Sequence, residues 1–232
     1  MKSMRLIESI SHLIAFANEY RTGRWVYRGV TDSKYELVPK IGRRDYSHKL
    51  EAHLVRAFER EVGAYLPAPP VNRWELLALA QHHGLPTRLL DWTENPLVAG
   101  FFACGGDSAN CGALYVLETS SVVTSADEDP LDLKRVARYR PKHVTRRITA
   151  QRGTFTIHPD PSAPLAVRDH RAYRVRKVEV AGGEAKERMR WDLSRLGVNS
   201  RTLFPDLDGL TAFLSWAYLD HDPALADQEM DL

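Results

Sequence analysis

The chain has little cysteine, no long apolar run and almost no charge imbalance, and each shortage removes a class of function. Only Cys104 and Cys111 occur among its 232 residues, so neither a disulfide framework nor a cysteine-ligated zinc module fits. The longest apolar stretch, Leu97 to Cys104, is far shorter than the roughly 20 residues a membrane-spanning helix needs, and no membrane partner is expected. The opening segment MKSMRLIESISHLIAF carries Glu8 inside its apolar pattern. It makes a poor signal peptide, and a cytoplasmic protein with free thiols is expected. A formal net charge of +2 demands no polyanionic partner for the chain as a whole. His-x3-His spacing, internal repeats and low-complexity tracts are all absent, and no metal site is expected.

What is present is the composition of an ordinary globular protein, 44% hydrophobic and 27% charged, long enough to bury a real core. Ile7, Ile10, Leu13, Ile14 and Phe16 recur at helical spacing, and Arg24–Val30 is rich in strand formers. A second helix is predicted over His48–Leu66, stopped by Pro67, Pro69 and Pro70. Asn72 followed by Glu75 has the form of a capping box for a third helix, which Gly84 and Pro86 end. Thr93 is read as the cap of a fourth helix with Pro96 in its first turn. Strands are predicted at Ala113–Glu118, Thr154–His158 and Tyr173–Val180, then helices at Glu184–Leu196 and Asp206–Leu219. Ser120–Pro130, polar and acidic without periodicity, reads as a loop. The sum is one α+β domain with a small mixed or antiparallel sheet flanked by helices. Residues 1–22 would form a helix packed on the domain proper at 23–219, with an acidic tail at 220–232.

The densest chemistry lies in Gln81–Thr93, QHHGLPTRLLDWT. Read as a connection between two helices, it packs in an amide, two imidazoles, a guanidinium, a carboxylate and an indole. A turn needs the glycine and proline but not these polar groups, and burying them unpaired would be expensive. A ligand site is therefore expected, against the alternative of a self-satisfied network with Arg88 paired to Asp91. His82 and His83 are adjacent and so point in different directions on a helix, which makes them poor joint metal ligands.

Three further segments carry candidates. Tyr27-Arg28-Gly29 sets an arginine fork beside a glycine that would let a ligand approach the backbone. Arg147–His158, RITAQRGTFTIH, contains Gln151 and ends a basic run of Lys134, Arg135, Arg138, Arg140, Lys142, Arg146, Arg147 and Arg152. That run is either a solvated face or a nucleic-acid or phosphate contact. Leu203–Gly209, LFPDLDG, places Asp206 and Asp208 at a helix N-terminus, where capping is the simplest role.

The order of these motifs resembles the FRG domain family, named for an aromatic-Arg-Gly motif. Tyr27–Gly29, LVPKIGR (37–43), LALAQHHGLPTRLLDWTENPLVAGFFA, AQRGTF and LGVNSRTLFPDLDGL carry the resemblance from about Trp25 to Leu210. Members are often bacterial or phage-encoded, which implies a role in phage defence or toxin action. An early Arg-Gly followed by a Phe-Phe-Ala segment is also similar to the arrangement in ADP-ribosyltransferases. That likeness implies NAD bound by Arg28 and Gly29, Phe101 or Phe102 flanking the nicotinamide, Arg88 on the diphosphate, and a protein or nucleic-acid acceptor. Tyr27, Arg43, Gln81, Thr87, Trp92, Arg147 and Gln151 complete the expected ligand-contacting set. Those enzymes place a catalytic glutamate on a late strand, where this chain has Gln151-Arg152-Gly153, so His82, His83 or Asp91 would supply the chemistry. Two other readings remain: a non-catalytic nucleic-acid or nucleotide-binding module, and a nuclease or other hydrolase working through His82 and His83.

Overall fold

The computed structural model describes residues 6–20, 24–66, 68–123, 128–141 and 145–219. The acidic tail and Lys142 lie outside the described residues. Among those described, the strands are β1 (Leu6–Ile7), β2 (Trp25–Val30), β3 (Leu89–Thr93), β4 (Gly112–Thr119), β5 (Ala137–Tyr139), β6 (Gly153–Ile157), β7 (Asp169–His170) and β8 (Tyr173–Val180). The α-helices are α1 (Ile10–Ala17), α2 (Glu51–Glu61), α3 (Arg73–His82), α4 (Pro96–Ala103), α5 (Arg146–Ala150), α6 (Glu184–Arg195), α7 (Ser200–Leu203) and α8 (Leu207–Tyr218). The expected α+β architecture with a mixed sheet is present, but the sheet is larger than anticipated. Its order is β1-β8-β4-β2-β3-β6-β5, with β7 beside β8. β1 runs parallel to β8, and the other strand pairs are antiparallel.

The sheet is two tightly paired blocks joined by a thin seam. β4 pairs with β8 over eight residues and with β2 over six, while β3 pairs with β6 over five. Between the blocks, β2 and β3 share one pair alone, Tyr27 with Thr93. Past Tyr27, the edge of β2 that faces β3 has no strand partner among the described residues, and the strands splay.

Side-chain alternation assigns the faces. On β2, Tyr27 points to a core with Leu13, Phe16, Val98, Val178 and Leu193, under α1, α4 and α6. Val26 and Val30 point the other way, to Leu90, Trp92, Tyr115 and Leu165. The second block is covered by α2 and α3, through Leu77, Leu89, Phe155, Ile157 and the fully buried Trp74. Each such buried large side chain is worth roughly 1.5–3 kcal/mol. The fully buried Lys186 donates from Nζ to the carbonyls of Thr31, Asp107 and Asn110, each at 3.0 Å, saturating all three protons and fastening α6 to the loops beside β2 and β4.

Local chemistry explains the helix limits. Asn72 caps α3 by accepting from the Glu75 N–H at 2.9 Å, and Gly84 at φ +89 ends it. Gly197 at φ +79 ends α6 in the same way, and Asp206 caps α8 through the Gly209 N–H at 2.8 Å. The region 48–65 is a short 3-10 turn, then α2, then a second 3-10 turn, where one helix was predicted. Ile7 belongs to β1 and not to the first helix. A larger correction concerns Leu89–Thr93, expected within an interhelical connection. It is the strand β3, and Asn95 caps α4 by accepting from the Leu97 N–H at 2.9 Å. The Thr93 hydroxyl instead accepts from the Asn95 N–H at 3.0 Å.

Candidate functional site

The splay between β2 and β3 opens into a cavity of about 300 Å³, at the lower end of the range for small-molecule sites. Strand ends and turns from distant parts of the chain meet there. β2 contributes Tyr27–Gly29, the C-terminal turn of α3 contributes Gln81, His82 and Gly84, and α5 with the start of β6 contributes Arg147, Gln151 and Gly153. Phe102 of α4 adds an aromatic wall, and Lys40 and Arg43 come from the 3-10 turn at Lys40–Gly42. Lys40 reaches the α3 turn itself, donating from Nζ to the Gly84 carbonyl at 2.8 Å.

The lining is electropositive. Arg28, Lys40, Arg43 and Arg147 face it, and Asp91 is its one carboxylate among the described residues. Arg28 stretches across the splay, donating from Nη1 to the Asp91 carbonyl at 2.7 Å and lying 3.7 Å from its carboxylate. Its side chain is 17% exposed against 57% for Asp91. Burial pulls the Arg28 pKa below its ordinary value, the Asp91 charge opposing, but a guanidinium stays protonated in proteins. His82 is likewise pulled below its ordinary value, chiefly by burial, then by His83 and Arg147, with Asp206 acting in the opposite sense. It is therefore mostly neutral at pH 7 and able to accept a proton. Asp206, the α8 cap, thus lies close enough to the cleft to act on His82, which the LFPDLDG motif alone did not reveal.

A supporting layer surrounds the cleft. Arg147 stacks over Phe204 at 4.4 Å from the ring centroid, and Gln151 donates from Nε2 to the Leu203 carbonyl at 3.2 Å, so the segment before α8 braces α5. Under β3 the Trp92 indole donates to Thr156 Oγ1 at 2.9 Å, and Thr156 lies 2.9 Å from His158 Nε2. His158 is held neutral, its pKa pushed down to about 4, first by burial and then by Arg28.

Most of the candidates from the sequence converge here: Tyr27, Arg28, Gly29, Arg43, Gln81, His82, Asp91, Trp92, Phe102, Arg147 and Gln151 all line the cavity. Four lie elsewhere. Arg88 turns inward to Glu51, with Nε at 2.8 Å from one carboxylate oxygen and the backbone N–H at 2.7 Å from the other, and donates from Nη1 to the Leu131 carbonyl at 2.9 Å. A diphosphate would have to displace that buried pair, so Arg88 holds the fold, and its partner is Glu51 and not Asp91. Thr87 is fully buried behind Gln81. Phe101 packs on the α1–α4–α6 core. His83 faces away, into a separate apolar groove of about 480 Å³ with Leu54, Phe58 and Tyr65.

Gly29 lines the cavity, but its lack of a side chain has a different reason from the one anticipated. A β-carbon there would fall 1.9 Å from the Ala99 carbonyl oxygen and 2.6 Å from the Ala103 nitrogen, so α4 occupies the space. Lys40 lines the cavity without a local signal, since nothing in LVPKIGR marks its lysine as facing the α3 turn. The basic run is partly neutralised, since Arg135 pairs with Glu128 at 2.8 Å and Arg140 with Glu94 at 3.0 Å. Among the described residues no group of three His, Cys, Asp or Glu side chains is placed to hold a metal ion, and no helix is long and apolar enough to cross a membrane.

The family model described as FRG domain matches residues 23–111, which span β2, the Lys40–Gly42 turn, α3, β3 and α4. The wall built by α5 and β6 lies outside that match. No curated protein and no solved structure matches the chain.

Proposed function

For a chain that carries an FRG domain, we propose that the splayed cleft binds a nucleotide, and that the nucleotide is NAD, from which ADP-ribose passes to a macromolecular acceptor. The observation that carries this reading is the single-pair seam between β2 and β3, which opens a cavity whose charge is four cations against one carboxylate. Such a lining suits a compact phosphorylated ligand.

In this reading Arg28, Lys40 and Arg43 hold the diphosphate, and Asp91 accepts a hydrogen bond from a ribose hydroxyl. The unpartnered edge of β2 at Gly29 is available to the nicotinamide carboxamide, with Phe102 beside the ring. As the bond from the ribose anomeric carbon to nicotinamide breaks, the electron pair leaves with the ring, which departs neutral. Positive charge builds on the ribose, where Asp91 stabilises it electrostatically in place of the glutamate this chain lacks. The acceptor nucleophile closes the new bond and gives its proton to His82, whose depressed pKa keeps it unprotonated at neutral pH. His83, turned into the other groove, has no part in this, and an acid–base pair of two imidazoles over one substrate finds no support.

The association with phage defence or toxin action rests on the family resemblance. A second reading, nucleic-acid binding, is favoured by exposed Arg146 and Arg152 beside the Arg147–Gln151 wall. Its affinity would fall steeply with salt and with Arg146→Ala plus Arg147→Ala. Calorimetry with NAD tests the first reading. Micromolar binding that Arg28→Ala weakens by about tenfold to a hundredfold is the expected result, the range for a hydrogen bond to a charged group. No NAD binding by the intact chain sinks it.

A further inference from the structure

The hydrogen bonds behind the cleft have a fixed direction. Thr87 Oγ1 accepts from the Leu89 backbone N–H at 3.2 Å and lies 2.6 Å from Gln81 Oε1. A hydroxyl has one proton. The Leu89 carbonyl and the Asp91 carboxylate can only accept, so the Gln81 NH2 must face them, and its carbonyl oxygen is left to take the Thr87 proton. The NH2 then donates to Asp91 at 3.1 and 3.3 Å on the two carboxylate oxygens, and to the Leu89 carbonyl at 3.3 Å. Thr87 is fully buried, and Gln81 stands on the last turn of α3, so the direction is set in the interior and delivered to the cavity surface.

We infer that Thr87 and Gln81 are positioning residues that present Asp91 to the cleft as an oriented acceptor, so that the ligand there must carry a hydroxyl as well as an anionic group. The inference rests on the nucleotide reading for the identity of the ligand, but its geometry does not. With its oxygen engaged by Thr87, Gln81 can offer the cleft only N–H. Arg28, Lys40, Arg43 and Arg147 are donors too, so among the charged and amide groups of the α3–β3 wall the acceptor role falls to Asp91. On that wall a ligand hydroxyl finds a carboxylate at one place, already aligned. Thr87, sought as a ligand contact from its place in the motif, acts here one step removed.

The test uses the full chain with Thr87→Val, Thr87→Ser and Gln81→Leu. In the absence of ligand, NMR follows the Asp91 side-chain carboxyl carbon and the Gln81 side-chain amide at fixed pH. Thr87→Val and Gln81→Leu should move the Asp91 resonance, and Thr87→Ser should leave both signals close to wild type. Calorimetry with two probes adds a readout that loss of structure would not mimic. Affinity for NAD should drop by about tenfold in Thr87→Val and Gln81→Leu, the scale of one charge-assisted hydrogen bond. Affinity for inorganic pyrophosphate, an anion without a carbon-borne hydroxyl, should change less than about twofold. An unmoved Asp91 resonance, equal losses for both probes, or a serine variant that behaves like valine overturns the inference. Gln81→Leu, altered at the cavity surface, carries the test if Thr87→Val does not fold. Absence of NAD binding by the wild-type chain would remove the nucleotide reading alone, since the ligand-free resonances still decide whether the relay exists.

Discussion

Two arginine–carboxylate pairs flank β3, and they do different work. Arg88, just before the strand, and Glu51 of α2 are 12% and 1% exposed, and every short contact they make is internal. Arg28 and Asp91 meet across the seam with the carboxylate 57% exposed, at 3.7 Å, beside a cavity. The first pair has its charges fully answered and no room for a ligand. The second leaves its carboxylate open to exchange partners. Residue type therefore says little about role here, and the separating variables are burial and how many hydrogen bonds remain open.

The largest expected effect breaks the inner pair. Glu51→Ala leaves a buried guanidinium and the Arg88 backbone N–H without their acceptor, and should destabilise the fold by about 3–5 kcal/mol in chemical denaturation. NAD affinity of the remaining folded protein should be unchanged. Arg28→Ala should show the reverse profile, with binding weakened by about tenfold to a hundredfold and the denaturation midpoint much less affected. If Glu51→Ala abolished binding at unchanged stability, the contrast between the pairs would collapse.

A smaller effect comes from His158, below the seam. The unfolded chain takes up the imidazole proton near pH 6.5, and the native protein only near 4, because burial and then the Arg28 charge disfavour the imidazolium. Between those values the unfolded state binds more protons, so stability rises with pH. It should be complete above about pH 6.5 and decline by up to about 3 kcal/mol as pH falls towards 4, from the gap between the two values. Denaturation midpoints measured across that window, with His158→Gln as the flat reference, check this. Arg28→Ala should narrow the gap, which ties the outer pair to the core beneath it.

How much of this was legible in the sequence follows from which interactions are local. β2, α3 with its Asn72 cap and Gly84 stop, β8 and the capped α8 all carry their signals within a few residues, and all were legible. β3 was not: Leu89, Leu90 and Trp92 form too short an apolar run to separate a strand from a connection when polar residues crowd both sides. The convergence of Tyr27–Gly29, Gln81–Asp91 and Arg147–Gln151 was anticipated from the density of polar groups that no turn needs. What sorted Arg88 from Arg28 was a glutamate on another helix, 37 residues upstream. What explained Gly29 was a helix laid against it. No periodicity encodes either contact, because both depend on how elements pack after they form.

The smallest expected effect completes the series. Arg140 and Glu94 form a third pair, with N to O at 3.0 Å, close to the inner pair in length, but Arg140 is 71% exposed. If distance governed strength, this pair would rank beside Arg88–Glu51. Water screens it, however, and two long side chains must be ordered to make it, so Arg140→Ala should shift stability by less than about 0.5 kcal/mol. Its NAD affinity should stay within twofold of wild type, because Arg140 is not among the cavity-lining residues. Denaturation at low and high salt supplies the check. An Arg140 effect as large as that of Glu51→Ala would show that burial is not what separates the pairs, and the assignment of Arg28–Asp91 to ligand binding would lose its physical basis.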